Sequence, residues 1–189
     1  CDAFWNMYRG TGSPVVPNVL QSMHMALERT LLDFAKIVEP EMLQPVLLKI
    51  LTQSKSASLT SVVCSIVLAY PEKFYNVALI LFKTIDFFLY DLIRYTKDST
   101  ARNIYSIGYG MNASNDMLYS DERIKTCEDK HRNTSLESLI LNYQLFGVQG
   151  FSEKQNSEYV SKLYDIIDIH KLNPIAIESY GMQLARMDR

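Results

Sequence analysis

Residues 53–95 read QSKSASLTSVVCSIVLAYPEKFYNVALILFKTIDFFLYDLIRY, an apolar run broken by one proline and by charges at helical spacing. Its first part, Ser56 to Pro71, carries no charge, yet it falls short of the ~20 apolar residues a membrane-spanning helix needs. Beyond it, Glu72, Lys73, Lys83, Asp86 and Asp91 recur too often for a bilayer core. β-branched Val62, Val63, Ile66 and Val67 would also suit a strand, so propensity alone leaves the choice open. Pro71 favours helices, because its missing N–H costs little in the first turn of a second helix. Phe74, Val77, Ala78, Leu81 and Phe82 then form one helical stripe, and Ile85, Phe88, Leu89, Leu92 and Ile93 another. The run therefore predicts short helices buried against helical neighbours.

Short helices with tight Pro or Ser/Thr junctions are the pattern of an α-solenoid. The expected fold is all-α: HEAT-like stacked helical hairpins with one long irregular insertion. No clean internal sequence repeat accompanies the pattern. The expected organisation is a helical array over 1–95, an irregular insertion over 96–121 and a second part of the array over 122–189.

Before the central run, the opening with Gly10, Gly12, Pro14 and Pro17 is irregular, and Asn18 suits a helix N-cap. Leu20, Met23, Leu27, Leu31, Phe34 and Val38 follow at spacings of three and four. They predict a helix with that stripe inward and Gln21, Glu28, Arg29 and Lys36 mostly outward. Pro40 ends it, and a shorter helix is expected over Glu41 to Thr52, with Pro45 limiting its early hydrogen bonding. Ser56 or Ser58 is expected to cap the helix that runs through Ala69.

After the run, Lys97, Asp98, Asn103, Gly108, Gly110 and Asn115 break the helical pattern. Thr134-Ser135-Leu136-Glu137 reads as a capping box, and Ser152-Glu153-Lys154-Gln155 as a second. The second leads into Val160, Leu163, Tyr164 and Ile167 and ends at Asn173-Pro174. The chain begins with Cys1 rather than Met and closes on Ala185-Arg186-Met187-Asp188-Arg189, from which a piece of something larger is expected.

Hydrophobic residues make up 48% of the 189, enough for a sizeable core. Net charge is −2 with both signs scattered, which argues against a nucleic-acid surface built on clustered Lys and Arg. The first residues lack the apolar centre of a signal peptide. Cys1, Cys64 and Cys127 show no close pairing, and Cys64 sits in the apolar run as a small hydrophobe. A reducing, cytoplasmic setting is expected.

The sequence offers no catalytic candidate. The G-x-x-x-x-G-K-[ST] loop is missing. Gly108-Tyr109-Gly110-Met111-Asn112-Ala113 matches the G-x-G-x-x-A dinucleotide fingerprint in letters, but no apolar helix follows it. Cys127 and His131 lie four apart, and two ligands do not make a zinc site. Asp165, Asp168 and His170 gather near a helix end, where the dipole and exposed carbonyls account for them. His24 reads as a half-buried helix residue. Arg123 to His131 is too long a gap for the Arg/His pair of compact helical ribonucleases. The acidic pairs Asp121-Glu122 and Glu128-Asp129 read as a solvated face. No cofactor, metal or catalytic residue is expected.

Several segments resemble a region of large bacterial STAND-type (NACHT-like) ATPases of antiphage defence, the AVAST-like systems. They are Trp5-Asn6-Met7-Tyr8-Arg9-Gly10, Pro17-Asn18-Val19-Leu20-Gln21-Ser22, Met25-Ala26-Leu27-Glu28 and Ala69-Tyr70-Pro71-Glu72-Lys73-Phe74, with His131-Arg132, Leu136-Glu137, Asn142-Tyr143-Gln144 and the closing Ala185–Arg189. The resemblance implies a helical-repeat sensor segment whose parent carries its ATPase site upstream. No P-loop, Walker B acid or nuclease residue stands in this chain to be carried over. The expected function is a non-catalytic module that binds a protein partner or other domains of its parent, with no nucleic-acid or membrane partner. The alternative is a stand-alone HEAT-like scaffold or adaptor.

Overall fold

The computed structural model describes residues 2–9, 17–101 and 125–189, and all regular structure among them is helical. The chain is all-α. A short helix α1 (Asp2–Trp5) and a 3-10 turn η1 (Asn6–Arg9) precede α2 (Asn18–Ile37), α3 (Pro40–Gln53), α4 (Ala57–Ala69), α5 (Tyr75–Phe82) and α6 (Ile85–Ala101). A second 3-10 turn, η2 (Lys130–Asn133), leads into α7 (Leu136–Phe146), α8 (Glu153–Lys171) and α9 (Pro174–Met187).

Helix α4 is the centre, packed against α1, α2, α3, α5, α7, η1 and η2. Val62, Val63, Ile66 and Val67 are fully buried in it, so the β-branched residues work here as all-round packing groups of a helix. Its small hydroxyl residues pass unpenalised because each finds an acceptor. Ser61 Oγ donates to the Ser58 carbonyl at 2.8 Å, Thr60 Oγ1 donates to that of Ser56 at 3.1 Å, and Ser65 Oγ donates to Glu28. No helix among the described residues is long and apolar enough to cross a membrane.

The stripe Phe74, Val77, Ala78, Leu81 and Phe82 is buried throughout. Pro71 does not open that helix: it lies in a turn, and α5 begins at Tyr75. Helices α7, α8 and α9 pack on one another and reach across to the α5 region through polar tips. Tyr143 Oη donates to the Pro71 carbonyl at 2.7 Å, and Tyr159 Oη to that of Tyr75 at 2.7 Å. His170 Nε2 lies 2.8 Å from the carbonyl of Phe82, so it carries the proton and serves the C-terminal end of α5 rather than of its own helix. Buried Tyr143 and Tyr159 thus each keep a partner for the hydroxyl.

The capping box Ser152–Gln155 forms as the sequence predicts. The other shifts by one residue: Ser135, not Thr134, caps α7 and accepts from the Ser138 N–H. Pro17 rather than Asn18 occupies the cap position of α2. Helix α6 runs to Ala101, into the segment read as irregular from Thr96 on, because Arg94 and Asp98 on its buried face hold that turn in place. The turn after α7 depends on Gly147, whose φ of 74° is left-handed and whose Cβ would stand 2.6 Å from the Asn156 side chain. Asn156 Oδ1 in turn accepts the Val148 N–H at 2.8 Å.

Truncating fully buried Ile66 to Ala is expected to cost about 2–5 kcal/mol, since α4 is held on all sides and cannot collapse onto the void. Leu145→Ala, on an exposed side chain, is expected to change stability by less than about 0.5 kcal/mol. Urea unfolding of both variants measures the contrast.

Candidate functional site

Two features stand out: a charge network in the interior and an apolar helix face left outside. Both follow from how α2 and α6 are rotated. On α6 the buried side chains are Phe88, Asp91, Arg94 and Asp98, spaced three, three and four apart on one face. The expected stripe Ile85, Leu89, Leu92 and Ile93 is only partly covered.

Arg94 uses all five guanidinium N–H groups. Nε and Nη2 form a fork on Asp91 at 2.9 and 3.1 Å, and Nη1 donates to Asp98 at 3.1 Å. The remaining donors reach the carbonyls of Arg132 at 3.0 Å and Thr134 at 2.5 Å. Asp91 also accepts the Leu136 N–H at 2.8 Å, placing a carboxylate on the first turn of α7, where unpaired amides need one. Asp98 is shared with Arg9 at 2.7 Å, which fastens η1 to α6.

A second centre lies on α2. Glu28 accepts from Arg132 Nη2 at 2.9 Å and from Ser65 Oγ, while His131 Nε2 stands 3.8 Å away. Burial pushes the Glu28 carboxyl up, but His131, Arg132 and Ser65 together outweigh it and hold the pKa at about 2. Arg132 Nε and Nη1 have no oxygen partner; the guanidinium instead lies 5.7 Å from the centre of the Tyr8 ring. Burial pushes the Tyr8 phenol and the Cys64 thiol upward, so both stay protonated.

A cavity of about 500 Å³ opens beside this network, lined by Tyr8, Arg9, Glu28, Arg29, Lys125 and Arg132 among others. Three of its cations already face carboxylates: Arg9 pairs with Asp98, Arg29 with Asp33 and Arg132 with Glu28. The arrangement braces the fold and presents no activated nucleophile.

Burying Glu28 turns α2 away from the expected orientation. Gln21 and Glu28 are 5% and 4% exposed, whereas Leu20, Met23, Phe34 and Ile37 are 42%, 62%, 54% and 83% exposed. Of these only Phe34 lines an apolar groove of about 240 Å³, which it shares with Leu31 and Val38 and with Met42, Leu43 and Val46 of α3.

No protein-family model matches the chain, and no curated protein sequence matches it significantly. The geometry and the sequence therefore carry the functional reading.

The residues weighed from sequence are dispersed. His24 is half-buried as expected, with Nδ1 2.8 Å from the Leu20 carbonyl and Nε2 3.0 Å from Ser58 Oγ. Cys127 and His131 are both buried, and no group of three metal-ligating side chains occurs among the described residues. Asp168 pairs with Lys171 and Arg189, apart from His170. Glu128 and Asp129 are exposed as read. Gly108–Ala113, Asp121, Glu122 and Arg123 lie outside the described residues. Sequence reasoning missed Glu28, Asp91, Arg94 and Arg132. The available signal was three charges at one helical face, Asp91, Arg94 and Asp98, continuing the line of buried Phe88.

Arg94→Met is expected to cost about 3–5 kcal/mol in urea unfolding, because Asp91 and Asp98 remain buried without their cation. The depressed Glu28 pKa stabilises the fold above its unfolded value near 4.5, and that stability is lost as pH falls toward 2. Stability measured from neutral pH down to acid is expected to fall by on the order of 3 kcal/mol through this group. Glu28→Gln removes that part of the slope.

Proposed function

We propose that this chain is a non-catalytic helical interaction module of the stacked-hairpin, HEAT-like kind, carried in a larger ATP-binding protein of antiphage defence and working in the cytoplasm. The observation that carries the reading is the uncovered apolar face of α2 and α3. Monomeric proteins rarely expose contiguous apolar surface, and where they do it commonly marks an interaction site. The partner is a protein element with an apolar stripe of its own, since the groove offers aliphatic, thioether and aromatic side chains and almost no polar lining. The mutual packing of α7, α8 and α9 agrees with stacked hairpins. The parent ATPase rests on the resemblance of the Trp5–Gly10, Pro17–Glu28 and Ala69–Phe74 segments to STAND-type proteins. A stand-alone scaffold or adaptor is the second reading, favoured by a core in which α4 meets helices from both halves of the chain.

Two measurements test this. The isolated chain is expected to show no saturable ATP binding by calorimetry; binding with turnover by this chain alone overturns the reading. The double variant Ile37→Glu, Met42→Glu is expected to lower the fluorescence of a bound apolar dye by about half with little change in Tm. Unchanged dye binding removes the docking face.

A further inference from the structure

Arg94 and Arg132 are buried alike, yet only Arg94 is satisfied. Arg94 is 1% exposed and all five of its donors reach oxygen. Arg132 is 4% exposed, and among the described residues its Nε and Nη1 reach none. A buried charged donor without an acceptor is destabilising. The neighbouring carboxylate cannot serve both, because Glu28 gives one oxygen to Ser65 and the other to Arg132 Nη2. Nε and Nη1 are therefore available to an oxygen that the described residues do not supply. The same side chain lines the cavity of about 500 Å³, together with Arg9, Arg29 and Lys125. These cations run from depth to mouth: Arg132 is buried, Arg9 largely so, and Arg29 and Lys125 are exposed. Against the four stand two lining carboxylates, Glu28 and the exposed Asp129.

We propose that this cavity binds a phosphate group, carried on a small molecule whose apolar part lies against Met25 and Leu32. Guanidinium groups supply directed donors and an ammonium supplies a mobile point charge, the combination that recognises phosphate. The cations come from three segments, η1 (Arg9), α2 (Arg29) and residues 125–132 (Lys125 and Arg132). Donors converging from three segments suit a tetrahedral oxyanion better than a flat carboxylate, and the excess of cations suits a dianion. The cavity is of the size that holds small molecules, and Met25 and Leu32 form the apolar part of its wall. It shares no lining residue with the α2–α3 groove, so this site and the proposed docking face stand or fall separately.

Thermal unfolding of the full chain is measured in potassium phosphate and in potassium chloride at equal ionic strength, so that screening is matched. A saturable rise in Tm with phosphate alone is expected; a phosphate effect no larger than that of chloride overturns the proposal. Phenyl phosphate is expected to bind at least about threefold more tightly than inorganic phosphate. Equal binding keeps the phosphate site and removes the small molecule that carries it. Mg-ATP, whose phosphates the metal already neutralises in large part, is not expected to compete, and competition overturns the assignment. Arg132→Lys keeps a cation facing Glu28, removes the unpaired guanidinium donors and is expected to weaken phosphate binding at least about tenfold. Should that variant fail to fold, the double variant Arg29→Gln, Lys125→Gln decides: both positions are exposed, and the same loss is expected with little change of Tm in chloride. Binding that survives the double variant overturns the proposal. In the arginine-labelled chain, phosphate is expected to move the Arg132 Nε signal and leave that of Arg94 in place. An ion held only on the surface moves neither, and that result also overturns the site.

Discussion

The guanidinium of Arg94 joins α6 to η2 and to the start of α7. It is almost fully buried, and its five donors bind two carboxylates of its own helix and two carbonyls beyond the segment that follows. Burying a cation costs least where its donors are satisfied, as all five of Arg94 are. Here the acceptors come from α6, from η2 and from the residue before the α7 cap, so one side chain ties η2 and the start of α7 to α6. Asp91 extends the constraint by holding the first amide of α7, and Asp98 by holding Arg9.

The same logic sets the orientation of α2. Glu28 must face Arg132 and Ser65, because a carboxylate in that interior needs a cation and a donor. Neighbouring helix positions differ by about 100° around the axis, so fixing Glu28 inward turns Met23, Phe34 and Ile37 outward. The exposed apolar stripe is the counterpart of the buried acid. Exposed stripe and internal brace are in this sense one arrangement: charges that could have formed the outer face of α2 hold the interior, and apolar side chains that could have filled the interior lie outside it.

Pattern reading found what local chemistry determines. The α4 run, the α5 stripe, the Ser152 capping box and the Asn173-Pro174 boundary all rest on residues close in sequence, and the structure keeps them. What it misplaced were faces. The stripe Leu20–Val38 is periodic whether its partner lies inside the chain or outside it, so periodicity cannot tell a core from a seam. Glu28 lies 104 residues from Arg132, and no local rule pairs them. Thr134 and Ser135 are both competent caps, and the choice fell to Ser135 because Asp91 holds Leu136 as the first residue of the helix. The candidate docking face was legible as an apolar pattern; its exposure was not.

Five simultaneous hydrogen bonds lock Arg94. Side-chain nitrogen NMR of the arginine-labelled chain tests this directly, because a guanidinium so held cannot rotate freely about its C–N bonds. Separate, slowly exchanging Nη1 and Nη2 signals for Arg94, with hydrogens protected from solvent, are the predicted result. A single averaged Nη signal with fast exchange would contradict it.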